Sequence, residues 1–377
     1  MRIAIVNLTS GGLSGGYVKY LRSILPRIEA DSRVRAVSVF VPPAVQRMNV
    51  LGAPTLSWEP RQSGGGEALR RAIAGTKPDV VFIPTARWLD CGSTPVVSMV
   101  RNMEPLVMPF SPRHPAEIAR NLARRLAAYS AVKRSDAVIA VSGFVQSFLL
   151  ERWSVARDKT AVIYHGVDSL VPPEGSSAAS IDSLTGTRFV FTAGSIRPSR
   201  GLEDAIESMI HLAVAEPRFV LGIAGNCDKN MEWYHRTLRE KVSRLGLSER
   251  VRWLGALDPE AMTWAFRHSE AFIMTSRTEA CPNVALEAMA QGCACISTEI
   301  APMPEIFRDA ASYYPAGDAE TLASRVIDSR NDSHMRDRAK ERAKVFSWDA
   351  TTRATVAFLE TTIANAQPGL RSRHTDW

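Results

Sequence analysis

Two tandem α/β halves, each a doubly wound parallel sheet of Rossmann-like type, are predicted by three features of this 377-residue sequence. Short β-rich apolar runs alternate with segments of helical periodicity, a stretch rich in proline, glycine and serine interrupts them, and the alternation then begins again. The length also exceeds what one core usually supports, so two domains of ordinary size are expected.

In the first half the apolar runs are IAIV (3–6), VSVFV (37–41), DVVFI (79–83), PVVSMV (95–100), DAVIAV (136–141) and TAVIY (160–164). Runs this short, apolar on both faces and separated by helices, suit a buried parallel sheet. NLTSGGLSGGYVKYL (7–21) sets two glycine pairs between the opening strand and a helix. Glycines there let backbone approach a ligand closely, although a plain tight turn accounts for them as well. VPPEGSSAASIDSLTGT (171–187) reads as a linker between a first domain, 1–170, and a second, 188–348. The second series runs FVFTAG (189–194), a helix from about Gly201, FVLGIAG (219–225), a long helix, VRWLG (251–255), a helix near Pro259, and AFIMTS (271–276). Ligands bind beyond the carboxyl ends of the strands in such sheets, so a cleft between two facing halves is the expected site.

Composition narrows the partners. With 45% hydrophobic and 23% charged residues the chain reads as globular. A net charge of +7 and a pI near 9.3 favour anionic partners, whether phosphorylated small molecules, nucleic acids or membranes. The five cysteines form no C-x-x-C pair and read as reduced, packed thiols of a cytosolic protein. The N-terminus turns polar and glycine-rich after one strand's length, unlike a signal peptide, and no apolar run approaches the roughly 18 residues of a membrane span.

The stretch most charged with chemistry is RTEACPNVALEAMAQG (277–292). AFIMTS is the strand, RTEAC the loop beyond it, and PNVALEAMAQ a helix with Pro282 in its first turn and Gly292 at its C-terminal cap. Glu279 then lies in the loop where ligands meet the sheet, and Glu287 about a turn and a half into the helix. The N–H groups near Asn283 and Val284 offer a site for phosphate. The alternative is a solvated glutamate at each place.

The segment TSRTEACPNVALEAMAQGCACISTEIAPMPEIF resembles the signature of the GT-B retaining glycosyltransferases of family four, whose Glu-x7-Glu pair falls on Glu279 and Glu287. GSIRPSRGLEDAI (194–206), SDAVIAVSGFVQSFL (135–149), AVIYHGVD (161–168) and FSWDATT (346–352) match in the same order. The resemblance implies that Glu279 bonds the donor sugar and Glu287 the ribose of its nucleotide, with Gly194, Ser195, Cys281, Pro282, Asn283 and Val284 lining the donor site. It also implies that a basic pair holds the diphosphate. Arg200 stands at the family's lysine; the family's arginine would follow Gly194, where this chain has Ser195, and Arg197 is the candidate substitute. Gly15 and Gly16 fall on the loop that touches donor and acceptor. Arg101 and Asn102 stand where many members carry a histidine that reaches the donor sugar. The last helix, 349–365, is expected to cross back to the first domain.

The need for cations has its own physical basis. A departing nucleoside diphosphate gains negative charge, and a guanidinium donates two hydrogen bonds to it in a fixed plane. No metal is expected to share this work, because no Asp-x-Asp element occurs and the seven histidines are scattered. No cofactor beyond the nucleotide-sugar co-substrate is expected.

SPRHPAEIARNLARRLAAYSAVKRS (111–135) is the most basic stretch. Ile118, Leu122, Leu126 and Tyr129 recur at helical spacing, beside Arg113, Arg120, Arg124, Arg125, Lys133 and Arg134. Docking on an anionic membrane surface at the inner face, towards a lipid-linked acceptor, is one reading; a core-packing helix with a solvated basic face is the other. Nucleic acid is disfavoured because aromatic residues do not alternate with the cations.

Together these features point to a metal-independent retaining glycosyltransferase acting on a glycan, lipid-linked or small-molecule hydroxyl. The alternatives are a non-catalytic nucleotide-sugar binder and a GT-B-shaped sugar-nucleotide epimerase.

Overall fold

The structure, a computed structural model, describes residues 1–8, 15–42, 55–58, 65–107, 115–168 and 179–366. The chain divides into two units. Unit 1 comprises 1–166 and 348–377, and unit 2 comprises 167–347.

In unit 1 the strands β1 (Arg2–Val6), β2 (Ala36–Val41), β3 (Thr55–Ser57), β4 (Val80–Ile83), β5 (Val96–Val100), β6 (Ala137–Ala140) and β7 (Thr160–Val162) form a parallel sheet. Their order is β3-β2-β1-β4-β5-β6-β7. In β4, β5 and β6 every residue is buried, the pattern of strands covered by helices on both faces. The covering helices include α1 (Gly15–Glu29), α2 (Gly65–Gly75), α3 (Glu104–Val107), α4 (Pro115–Arg134) and α5 (Gly143–Trp153). The edge strand β3 has no counterpart in the periodicity reading, since TLS is too short to carry an alternation.

Unit 2 repeats the plan with β8 (Arg188–Ala193), β9 (Phe219–Ala224), β10 (Val251–Gly255), β11 (Ala271–Met274), β12 (Cys295–Thr298) and β13 (Ala311–Tyr314). They are ordered β10-β9-β8-β11-β12-β13 and paired in parallel. Helices α6 (Leu202–Ala215), α7 (Glu232–Arg244), α8 (Pro259–His268), α9 (Asn283–Ala290), α10 (Met303–Phe307), α11 (Ala319–Ser329) and α12 (Met335–Ala343) pack around the sheet. The sequence order reverses between β8 and β11, so the crevice beyond their carboxyl ends is the topological switch point of this unit.

Two expected boundaries shift. The serine-rich stretch 171–187 is not all linker: its second half holds a 3-10 helix, Ala179–Leu184, whose Ile181 and Leu184 are fully buried. Its first half, 171–178, lies outside the described residues. The chain passes between units at 166–167 and 347–348, and the last helix, α13 (Trp348–Ala366), packs in unit 1. Trp348 meets Tyr20 of α1 edge-on at 5.9 Å and stacks on His165 at 6.2 Å; Thr351 donates to the Tyr164 carbonyl at 2.8 Å.

Candidate functional site

Two loops meet at the switch point of unit 2. The first leaves β8 through Gly194 (φ 138°), passes a 3-10 turn at Pro198–Arg200 and reaches α6 through Gly201 (φ 56°). The second leaves β11 as Thr275–Cys281 and enters α9. They are laced together: Thr275 Oγ1 donates to the Arg200 carbonyl at 2.6 Å, and the Arg277 N–H to the Ser199 carbonyl at 2.7 Å. A Cβ at Gly201 would collide with the Thr275 carbonyl, so the close approach requires glycine.

This lacing sets Arg200 against Glu279. The guanidinium Nη1 pairs with Glu279 Oε1 and donates to Ser276 Oγ at 3.4 Å, while Ser276 Oγ donates to the same carboxylate oxygen at 3.0 Å. Both ionic side chains are mostly buried, at 22% and 14% exposure. The guanidinium also lies over Gly194, where an added Cβ would sit 3.0 Å from its Cζ. Arg197 goes elsewhere: its Nη2 donates to Asp228 in the loop after β9, at 3.1 Å, rather than joining Arg200 on Glu279. Three residues apart across a tight turn, the two guanidiniums leave in different directions. Ser195 is exposed beside them.

Pro282 is the N-cap of α9, not a residue of its first turn, and Asn283 is the first helical residue. No side chain caps this end. Its first N–H groups, around Asn283 and Val284, therefore point out of the helix start as an anion site would require. Cys281 and Pro282 are buried, and Glu287 is half-buried on α9.

A neighbouring network escaped the sequence reading. Asp204, 2% exposed in the first turn of α6, accepts from Arg277 Nη2 at 2.5 Å, from Tyr314 Oη at 3.0 Å and from the Gly317 N–H at 2.9 Å. Burial first, and then the Asp204 charge, push the Tyr314 phenol far above its ordinary value. The network ties the RTE loop to α6 and to the loop after β13. The only local signal was Arg277 at the head of RTEAC; its partners lie 73 and more residues away.

In unit 1 the Arg101 guanidinium, just after β5, lies 5.0 Å above the Tyr17 ring and 5.5 Å from that of Tyr20. Burial raises both phenols above their ordinary range, so they stay neutral. Asn102 is not simply a sugar contact in waiting: its Oδ1 accepts the Glu104 N–H at 3.0 Å at the start of α3. Gly15 and Gly16 open α1, and a Cβ at Gly15 would meet nothing within 4 Å. Residues 9–14 of the glycine loop lie outside the described residues. His165 is buried against Tyr20 and Trp348, whereas His268 is exposed and stacked on Trp264 at 4.3 Å. Among the described residues no three His, Cys, Asp or Glu side chains cluster as metal ligands, and no helix is long and apolar enough to cross a membrane.

Comparison with known proteins gives a consistent picture. The family model described as glycosyl transferases group 1 matches residues 177–346, and that of glycosyltransferase family 4 matches 25–169. The chain is 28% identical over 181 residues to the lipopolysaccharide core biosynthesis mannosyltransferase LpsB of Rhizobium meliloti, covering 46% of this chain and 48% of that one. It is 23% identical over 269 residues to the D-inositol 3-phosphate glycosyltransferase of Corynebacterium efficiens, covering 67% and 62%. The matches thus span about half to just under two thirds of these relatives' lengths. Among solved structures, Anabaena HepE in complex with UDP-glucose superposes with a TM-score of 0.74 at 20% identity, over 96% of this chain and all of that one. Sucrose-phosphate synthase from Thermosynechococcus elongatus superposes with a TM-score of 0.72 at 17% identity, over 97% and 99%.

Proposed function

The chain belongs to the glycosyl transferases group 1 family, and from that premise we propose that it moves a sugar from a nucleotide-diphosphate sugar to an acceptor hydroxyl, with retention at the anomeric carbon and without a metal. The observation that carries this reading is the Arg200–Glu279 pair at the switch point, next to the uncapped start of α9. In this reading Arg200 receives the developing charge of the leaving diphosphate, and the helix-start N–H groups share it. Glu279 and Ser276 fix the guanidinium before substrate arrives, so little reorganisation remains for the reaction. Glu279 keeps a second oxygen for a sugar hydroxyl, and Glu287 serves the ribose. Arg197 can join from the Asp228 side on exchanging a solvent-facing ion pair for phosphate. In this reading the leaving phosphate itself takes the proton of the acceptor hydroxyl on the same face. HepE, solved with UDP-glucose, supports the donor class by likeness of fold.

Release of nucleoside diphosphate is the test. UDP-, GDP- and ADP-sugars are screened by thermal shift, since a ligand that binds only the folded state raises its melting temperature. The stabilising donor is then followed for hydrolysis or transfer. Arg200→Ala and Glu279→Ala should each slow turnover by about a hundredfold or more, the effect of losing one preorganised donor, with circular dichroism unchanged. Stabilisation without any diphosphate release would favour a binder; wild-type rates in either variant would remove the assignment.

We also propose that unit 1 docks on an anionic membrane surface at the inner face. In α4 the apolar stripe faces outward: Leu122, Leu126 and Tyr129 are 38%, 68% and 43% exposed, beside exposed Arg120, Arg124, Lys133 and Arg134. A core-packing role does not explain that exposure. Co-sedimentation with phosphatidylglycerol vesicles should fall several-fold in Leu126→Glu, each basic residue near such a surface adding about 1 kcal/mol; unchanged sedimentation would end the idea.

A further inference from the structure

Unit 2 holds a basic cavity at the other end of α9 from the Glu279 site. Its volume is about 670 Å³ and it is lined by Arg267, Arg336, Lys340 and Lys344, with no carboxylate among its lining residues. At about 1.5 Å per residue the two ends of α9 are roughly 10 Å apart. The cavity touches only its last residue, Ala290, with Gln291 and Gly292 beyond.

The helix end alone does not account for this charge. The terminal carbonyls of a helix carry about half a negative charge, and one cation answers it. Arg336 stands there and is already occupied, donating to the carbonyl of Gly292, just beyond α9, at 3.2 Å, and to those of Ser269 at 3.0 Å and Glu270 at 3.3 Å, between α8 and β11. Lys344 is paired with Glu341 at 2.6 Å. Two cations remain. Arg267 spends only Nε, on the Gln291 carboxamide at 2.8 Å, and Lys340 has no carboxylate partner among the described residues. Gly292, at φ 67°, makes room for the Lys340 stem, with which a Cβ there would collide. Like charges gathered without counter-charge repel, and a bound anion relieves that cost.

The lining also includes two buried apolar residues, Phe346 and Ala343. The cavity also borders the place where the chain enters and leaves the unit, since the Val167 N–H donates to the Phe346 carbonyl at 2.9 Å. A volume of this size holds a molecule of sugar-phosphate bulk.

We propose that this cavity is a second anion site that binds a phosphate ester, its phosphate between Arg267 and Lys340 and its carbon skeleton against Phe346. The site is independent of the donor reading. Calorimetric titration of the full-length Arg200→Ala protein with inorganic pyrophosphate tests it with the switch-point site weakened. Binding is expected, and adding Arg267→Ala and Lys340→Ala should weaken it by about tenfold or more. Restoring charge with Arg267→Lys and Lys340→Arg should recover most of it. A parallel arm with vesicles carrying phosphatidic acid separates a lipid headgroup from a soluble phosphate, and loss of either ligand in the triple variant supports the site. Equal binding with and without the two alanines, or binding of neither probe by the folded Arg200→Ala protein, overturns it.

Discussion

Gly194 shows how much a single position can decide. Its φ of 138° strains any other residue, and a would-be Cβ would lie 3.0 Å from Arg200 Cζ, close enough that the guanidinium has to shift. Gly194→Ala should therefore displace the guanidinium and lower turnover roughly ten- to a hundredfold, with a smaller loss of stability; steady-state kinetics beside a urea titration separates the two. Asp204 makes a different kind of contribution. Replacing it with alanine leaves the Arg277 guanidinium and the Tyr314 hydroxyl without their acceptor in a mostly buried place. The expected cost is about 3–5 kcal/mol in urea unfolding, because breaking a buried pair strands the remaining charge. Spacing placed Glu279 in a loop beyond a strand and Glu287 inside the next helix but left a solvated glutamate equally open at each; the pairing of the two, and the choice of Arg200, came from the family resemblance. Asp204 was not legible, because an acid in the first turn of a helix is ordinary and its partners come from a strand and two loops far along the chain.

At the scale of the element, the strands were read closely where apolar runs were bounded by turns, and missed where they were not. β12 lies within the segment that carries the family resemblance and β13 just after it, yet CIST, buried throughout, and ASYY, buried at its ends, carry small and polar residues that hide a strand. Helix α7 offers a measurable consequence of packing. Its His235 meets the Trp253 ring of β10 edge-on at 4.6 Å, and burial, aided by Arg239, lowers its imidazole below the ordinary 6.5. The unfolded chain then takes up a proton that the folded one refuses, so this group's stabilisation is complete above 6.5 and lost as the pH falls below it. The urea midpoint should fall between about pH 7.5 and about pH 5.5, and fall less in His235→Gln. A difference of the same size in both proteins would assign the effect to other groups. Helix α4 was legible as amphipathic, but the direction of its apolar stripe was not: periodicity fixes which residues share a face, and only packing decides what that face meets.

Across the whole molecule, the chain returns to unit 1 through its last helix. Trp348 is 1% exposed among Tyr20 and His165, so Trp348→Ala should cost about 3–5 kcal/mol. Hydrogen exchange should then quicken in β1 and α1 while β8 to β13 keep their protection; a uniform change would mean that the helix supports both units. By itself the sequence determined the tandem α/β plan and marked 277–292 as the candidate site segment. The plan follows from short apolar runs bounded by turns and from the helical period between them, and the segment from its place beyond a strand together with the family resemblance, all of which a chain displays before it folds. The tertiary structure alone decided that Arg200 rather than Arg197 meets Glu279, that Asp204 anchors the RTE loop, and that Arg267 and Lys340 share a cavity. Each of these joins side chains far apart in the chain, and their meeting depends on how helices and strands stack rather than on any spacing written along it.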